Sequence, residues 1–206
     1  MNLSNVILNT NRKVGLSFSG GADSSLLAYV LMKNVQTPLH FFTYASREKH
    51  FRTVKFSSDV LKQCIRLTGN QNVYHHFVYY ESFSRNNFLN FLIQSVDIGL
   101  VDVMYTATTS NPPDYVMEKF NDKLPDEPKN RRDPSRKKLF WSHNNRLYSP
   151  FFNIDKQEIF KFYKQLNILD TVYPYSFSCE SKDNVTEHCG ECWWCQERLW
   201  AFGQLN

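Results

Sequence analysis

Lys13-Val14-Gly15-Leu16-Ser17-Phe18-Ser19-Gly20-Gly21-Ala22-Asp23-Ser24-Ser25-Leu26-Leu27 is the stretch on which the fold turns. Its first six residues read as a short buried strand running straight into a Ser-Gly-Gly turn. From Asp23 to Lys33, Leu26, Leu27, Val30 and Leu31 recur at helical spacing, so the turn opens a helix. Such a junction is a natural seat for an anion. Paired glycines let peptide N–H groups approach a bulky group closely, and the helix start adds unpaired N–H groups and the positive end of its dipole. Ser19 and Ser24 supply hydroxyl donors, while Asp23 suits either a Mg²⁺ ion or a helix cap. A plain strand–turn–helix connection uses the same residue types. The loop has neither the Gly-Lys-Ser/Thr of a Walker loop nor the Gly-x-Gly-x-x-Gly of dinucleotide folds.

Outward from this junction the chain alternates. Leu39 to Tyr44 is a second strand, Arg52 to Leu67 a helix ending near Gly69, Val73 to Tyr79 a third strand, Arg85 to Val96 a third helix and Val101 to Ala107 a fourth strand. This rhythm predicts βαβ units and a parallel sheet covered on both faces. The pattern then breaks. Residues 111–138 are polar and proline-bearing, ending in the basic run from Lys129 to Lys138, and read as a long irregular loop, functional or disordered. Leu139 to Trp141 and Arg146 to Tyr148 read as short strands about a turn at Asn144-Asn145, and Asp155 to Leu166 as a further helix. The expected organisation is an α/β domain over residues 1–170 followed by a cysteine segment with a terminal helix over 171–206.

With 206 residues, 42% hydrophobic and 21% charged, the chain can bury a core without disulfides. No run of residues approaches the length a membrane span needs, and the first residues lack the features of a signal peptide. The expected setting is therefore the cytoplasm, with no membrane partner. A net charge of +4 suits an anionic ligand and does not by itself imply nucleic acid. The basic run reads as a solvated loop before it reads as an RNA contact.

Four of the five cysteines, Cys179, Cys189, Cys192 and Cys195, fall in the pattern C-x9-C-x2-C-x2-C. In a reducing compartment such crowding argues for metal. Four thiolates complete a closed, structural Zn²⁺ site, and an iron–sulfur cluster is the rival. Zinc is preferred because nothing else in the sequence suggests electron transfer. His188 adjoins the cluster but is not needed as a ligand. Cys64 stands apart on a helix face and reads as core.

Ser19-Gly20-Gly21-Ala22-Asp23-Ser24 resembles the SGGxDS signature of the PP-loop (N-type) ATP pyrophosphatases. The resemblance implies that Ser19, Gly20, Gly21, Asp23 and Ser24 bind the pyrophosphate end of ATP and its Mg²⁺, on a Rossmann-like sheet of adenine nucleotide α-hydrolase type. Backbone groups near Phe18 and from Phe41 to Tyr44 are expected around the adenine. The pairing of this loop with Ser178-Cys179 and Cys189-Gly190-Glu191-Cys192-Trp193-Trp194-Cys195-Gln196-Glu197-Arg198 is similar to the QueC family of 7-cyano-7-deazaguanine synthases. Asp155-Lys156-Gln157-Glu158-Ile159 also looks like a stretch of that family, and by analogy with related amidating enzymes Lys156 is expected on the ATP phosphates, with Lys156 and Asp23 in the catalytic role.

The reaction so implied is ATP-dependent adenylation of the carboxylate of 7-carboxy-7-deazaguanine, displacement of AMP by ammonia, and a second activation that dehydrates the amide to the nitrile. The expected cofactors are ATP, Mg²⁺ and Zn²⁺. The expected partners are the deazaguanine acid and ammonia, with a homodimer as a candidate assembly and nucleic acid as the lesser alternative. The family pattern is broken after the fourth strand, where the chain reads Thr108-Thr109-Ser110-Asn111-Pro112-Pro113-Asp114-Tyr115. This departure leaves room for an enzyme that stops at the amide, for another amine acceptor, for a tRNA-modifying relative, or for a silent nucleotide-binding module.

Overall fold

The computed structural model describes residues 6–7, 11–46, 51–81, 84–119, 132–133, 140–180 and 186–206. In chain order the elements are β1 (Val14–Ser17), α1 (Ala22–Asn34), β2 (Leu39–Ser46), α2 (Phe51–Thr68), β3 (Val73–Tyr80), α3 (Arg85–Asp97), β4 (Val103–Tyr105), α4 (Asp114–Lys119), β5 (Trp141–Ser142), β6 (Leu147–Tyr148), α5 (Lys156–Gln165), a 3-10 turn (Tyr173–Tyr175) and α6 (Trp193–Phe202). The strands form one sheet in the order β3-β2-β1-β4-β6-β5. All neighbours are parallel except β5, which returns antiparallel on β6. From β1 the chain steps out through β2 to β3, then crosses back to lay β4 on the other side of β1. That reversal opens a crevice at the carboxyl ends of β1 and β4, where open parallel sheets take their ligands.

Alternation along the strands sets the two faces. Val14, Leu16, Leu39, Phe41, Val103, Tyr105 and Tyr148 share a core with residues of α1, α2, α5 and α6. Phe42, Met104 and Leu147 point the other way and pack with Leu92 of α3. Gly15 packs closely on this second face, where an added Cβ would stand 2.7 Å from Met104 Cε and displace that side chain. Helix α1 is buried nearly all round, which is why its leucines do not mark out one stripe. At the far end, Ala201 and Phe202 of α6 join the core of β1 and α1.

Two expectations need correction. The stretch read as irregular from residue 111 to 138 contains α4, a six-residue helix with Val116 and Met117 buried. Within the basic run, Arg132 is not solvated: it is 3% exposed and its guanidinium is fully engaged on one edge by protein. The rest of that run, apart from Asp133, lies outside the described residues.

His75 of β3 is wedged beside Phe18 and bonds the Thr43 hydroxyl, whose own proton goes to the Phe18 carbonyl. Burial first, and then neighbouring His76, push its imidazole down from 6.5 to about 4. Between those two values the unfolded chain binds a proton that the folded chain refuses, so stability is complete above 6.5 and drains away as the pH falls toward 4. Urea unfolding at pH 7.5 and pH 5 should show this loss in the wild type and a smaller loss in His75→Gln. Equal losses in both would remove His75 as its source.

Candidate active site and metal centre

Ser19 to Ser24 form a cradle at the mouth of β1. Gly20 takes a left-handed φ of +74°, and its carbonyl accepts the Phe177 N–H at 2.8 Å. Gly21 is the residue that caps α1, in extended conformation and without a side-chain cap. Ser24 and Ser25 both donate their hydroxyls to the Gly21 carbonyl, at 3.1 and 2.8 Å. The Ser19 hydroxyl accepts the Gly21 N–H at 3.2 Å and lies 3.1 Å from the Ser24 hydroxyl. These contacts fix the loop while the first-turn N–H groups of α1, which have no partner within the helix, face outward.

Asp23 sits in the first turn and does not cap the helix. Its Oδ2 lies 3.4 Å from Lys156 Nζ, and its Oδ1 is buried without a hydrogen-bond partner. Lys156, at the start of α5, is set in place by Asp155, whose carboxylate accepts the Gln157 and Glu158 N–H groups. The lysine is 4% exposed. Its ammonium also pairs with Glu197 Oε2 of α6 at 3.0 Å, and Glu197 Oε1 accepts from Arg132 Nη2. Arg132 in turn donates Nε to the Thr109 carbonyl at 3.2 Å and Nη2 to the Ser110 carbonyl at 2.8 Å. Burial raises the Asp23 pKa, with Lys156 working against the rise. Burial would raise Glu197 too, but the Arg132 guanidinium and the Lys156 ammonium outweigh it and hold the carboxyl below its ordinary value.

Asp23, Lys156, Arg132 and Thr109 line a cavity of about 360 Å³, with Glu197 behind its wall. Its walls are the Ser19–Ser24 loop, Arg52 and Thr53 at the start of α2, Thr106 to Thr109 after β4, and Phe177 to Glu180 and Trp194 from the cysteine segment. A smaller apolar slot of about 150 Å³ shares Ser17, Ser19 and Thr53 with it and is bounded by Phe18, Phe42, Tyr44, Arg85 and Phe88. Tyr44 is fixed there by the Ser84 N–H, which its hydroxyl accepts at 3.1 Å, and by the parallel Tyr80 ring. The Phe18 backbone is already used by the sheet: its N–H donates to Phe42 and its carbonyl takes the Thr43 hydroxyl. Phe18 therefore contributes a wall to the slot.

Cys179, Cys189, Cys192 and Cys195 bring their four sulfurs within 4.8 Å of one another, an arrangement that could hold a metal ion. Backbone N–H groups of Cys189 and Cys192 point at the sulfurs of Cys179 and Cys189, at 3.5 and 3.3 Å. His188 is turned away from the ligand role, since its Nε2 accepts the Ser178 N–H at 3.4 Å. The four cysteines are tied to the Ser19–Ser24 loop through α6. Arg198, fully buried, donates to the Tyr173 and Ser176 carbonyls at 3.2 Å and to the Ser178 hydroxyl at 3.3 Å. Phe177, between those serines, is the residue that holds Gly20. Cys64 lies elsewhere, wholly buried, and burial pushes its thiol up to about 12.

Sequence reasoning brought the Ser19–Ser24 loop and Lys156 to this cavity and missed Arg52, Arg132 and Trp194 on its wall and Glu197 behind it. The available signal for Glu197 was its spacing: Trp193, Glu197 and Ala201 fall four residues apart on one stripe of α6, and all three are buried.

Residues 136–206 match the family described as queuosine biosynthesis protein QueC, and residues 6–68 match asparagine synthase. Comparison with curated protein sequences finds no match. Among solved structures, the chain resembles a U34-tRNA thiolase, NcsA, from Methanococcus maripaludis with its [4Fe-4S] cluster, at 15% identity and a TM-score of 0.50, over 83% of this chain and 63% of that one. The chain thus spans under two thirds of the thiolase's length. Weaker likenesses are to an NMN synthetase from Francisella tularensis (15% identity, TM-score 0.46, 82% and 69% of the two chains) and an NH3-dependent NAD synthetase from Campylobacter jejuni (11%, 0.44, 84% and 77%). With its Ser19–Ser24 loop on a mostly parallel sheet, the chain is similar to the QueC family over its last third and to asparagine synthase over its first third, and shares the fold of the thiolase.

Proposed function

We propose that the protein activates a carboxylate with ATP, releasing pyrophosphate, and passes the adenylated acid to ammonia, with 7-carboxy-7-deazaguanine as the acid and its nitrile as the end product. The observation that carries this reading is the meeting of Lys156, Asp23 and the Ser19–Ser24 loop at one end of a single cavity. The Ser19–Ser24 loop would hold the triphosphate, and the slot beside Tyr44 would take the adenine. A carboxylate oxygen attacks the α-phosphorus, the bond to the bridging oxygen breaks, and pyrophosphate leaves with the electron pair. Lys156 and Arg52 face the charge that grows on the departing phosphates. Ammonia then adds to the acyl carbon and AMP leaves, giving the amide; a second ATP adenylates the amide oxygen with release of pyrophosphate, and departure of AMP together with the protons on nitrogen leaves the nitrile. The buried, unpartnered Asp23 Oδ1 fits a Mg²⁺ ligand, and the ion would neutralise phosphate charge when bound.

The four thiols suit zinc. A tetrahedral ion with Zn–S arms of about 2.3 Å sets its sulfurs about 3.8 Å apart, and Cys189 and Cys195 stand at 3.9 Å. A cluster of several irons holds its thiolates farther apart. With four of the five cysteines drawn together and Cys64 sealed in the core, the chain offers no separate thiol for sulfur transfer.

Purified protein given Mg²⁺-ATP, ammonium and 7-carboxy-7-deazaguanine should yield AMP only in the presence of the acid, together with the nitrile mass. AMP with accumulated amide would move the end point one step back. AMP that appears only with another acid or amine would keep the activation chemistry and replace the substrate. Neither ATP binding nor AMP would leave a nucleotide-free binding module in place of an enzyme.

A further inference from the structure

Glu197 reaches two cations that arrive from distant segments of the chain. Its Oε1 accepts from Arg132, and its Oε2 lies 3.0 Å from Lys156. Burying a carboxylate and two cations is costly, and an apolar trio of similar volume would hold the same segments together at least as well. Stability alone therefore does not explain the arrangement. Its geometry has a consequence for Asp23. Lys156 stands between two carboxylates and is nearer Glu197, at 3.0 Å, than Asp23, at 3.4 Å. Without Glu197 the ammonium would close on Asp23, whose Oδ1, like Glu197 Oε2, is buried without a hydrogen bond.

We propose that Glu197, anchored by Arg132, is a positioning residue that draws Lys156 away from Asp23 and so leaves the Asp23 carboxylate to a divalent cation accompanying ATP. The inference rests on the ATP-activation reading. It makes the four charges an ordered row, Arg132–Glu197–Lys156–Asp23, in which the outer carboxylate serves the metal and the lysine serves the phosphates. Glu197 itself touches neither.

Two binding measurements test it on the metal-loaded chain: ATP uptake without added divalent cation, by calorimetry, and Mn²⁺ uptake in the presence of ATP, counted by electron paramagnetic resonance. Glu197→Gln removes a negative charge near a polyanion, so metal-free ATP should bind at least as tightly as to the wild type. The Mn²⁺ concentration for half-saturation should nevertheless rise by about tenfold, as the lysine moves onto Asp23. In a Lys156→Met background the same substitution should produce no rise, a non-additivity that a general loosening of the fold would not give. An unchanged Mn²⁺ requirement in Glu197→Gln, or a rise that persists without Lys156, overturns the proposal. Should Glu197→Gln fail to fold by its thermal melt, Glu197→Asp carries the same cycle, with a rise of about two- to threefold expected from the longer ion pair. A wild-type chain that takes up no ATP at all sinks the activation reading, and this inference with it. Wild-type uptake with indifferent Glu197 variants sinks the inference alone.

Discussion

Gly20→Ala should abolish ATP-dependent AMP formation, by about a hundredfold or more, because displacing a phosphate-binding loop by an ångström is enough for a loss of that size. Two effects combine at this position. The φ of +74° is left-handed, which costs an L-residue about 1–2 kcal/mol. A Cβ would also stand 2.7 Å from the Ser57 backbone nitrogen and 3.0 Å from Phe56 C, in the middle of α2. Backbone of a packed helix cannot swing aside as a side chain can, so the loop must move. Its movement pulls on the Gly20 carbonyl, which the Phe177 N–H holds, and so on the wall of the cavity. Gly69→Ala is the control: φ is +70°, but nothing lies within 4 Å of the added carbon. That variant should lose only the strain energy and keep full nucleotide affinity. Calorimetric titration with Mg²⁺-ATP, alongside thermal melts of both variants, separates the two cases. If Gly20→Ala binds ATP as Gly69→Ala does, the loop is not the phosphate seat.

The same loop was legible in the sequence because its information is local. Strand, paired glycines and the start of the helix follow one another within a dozen residues, and the cysteine pattern from Cys179 to Cys195 and the Asp155-capped start of α5 are local in the same way. Arg132 was not legible for the opposite reason. Inside a run of basic residues its charge reads as solvated, and only a carboxylate 65 positions later buries it. Glu197 was hidden by its neighbours, since a glutamate beside an arginine after a cysteine motif looks like the wet side of a helix. Its four-residue spacing with Trp193 and Ala201 put it on the dry side, where a charge needs a partner. Periodicity could therefore have flagged that Glu197 was buried, but not which distant cation would meet it. The short α4 escaped because a six-residue element carries too little pattern to separate from loop, whereas the strands expected about Asn144-Asn145 form as β5 and β6.

Stripping the metal from the four cysteines, or replacing Cys192 by serine, should unfold the last segment and take nucleotide binding with it, although no sulfur is placed on ATP. The physical path is short. Cys192 caps α6 and Cys195 lies within it; two residues on, Glu197 holds Lys156 and Arg132, and the next residue, Arg198, ties Tyr173, Ser176 and Ser178 together. Phe177, inside that knot, holds Gly20, and Cys179 itself lines the cavity. Structural zinc contributes about 10–16 kcal/mol of apparent binding free energy in small domains, which matches or exceeds the roughly 5–15 kcal/mol by which a whole domain is stable. Against that, the apolar contribution of this segment is small: Phe177, Cys179 and Cys195 form a cluster of their own, apart from the main core. Elemental analysis should find one zinc per chain and no matching iron, and chelation should lower the thermal midpoint by at least about 10 °C, since each 1 kcal/mol moves it by about 2–4 °C in a chain of this size. ATP affinity should fall in step with zinc content and return when zinc is restored. Metal-free protein that melted earlier yet bound ATP with wild-type affinity would show that α6 reaches the site without its metal, and Glu197 and Arg198 would then hold their places through the core contacts of Ala201 and Phe202 alone.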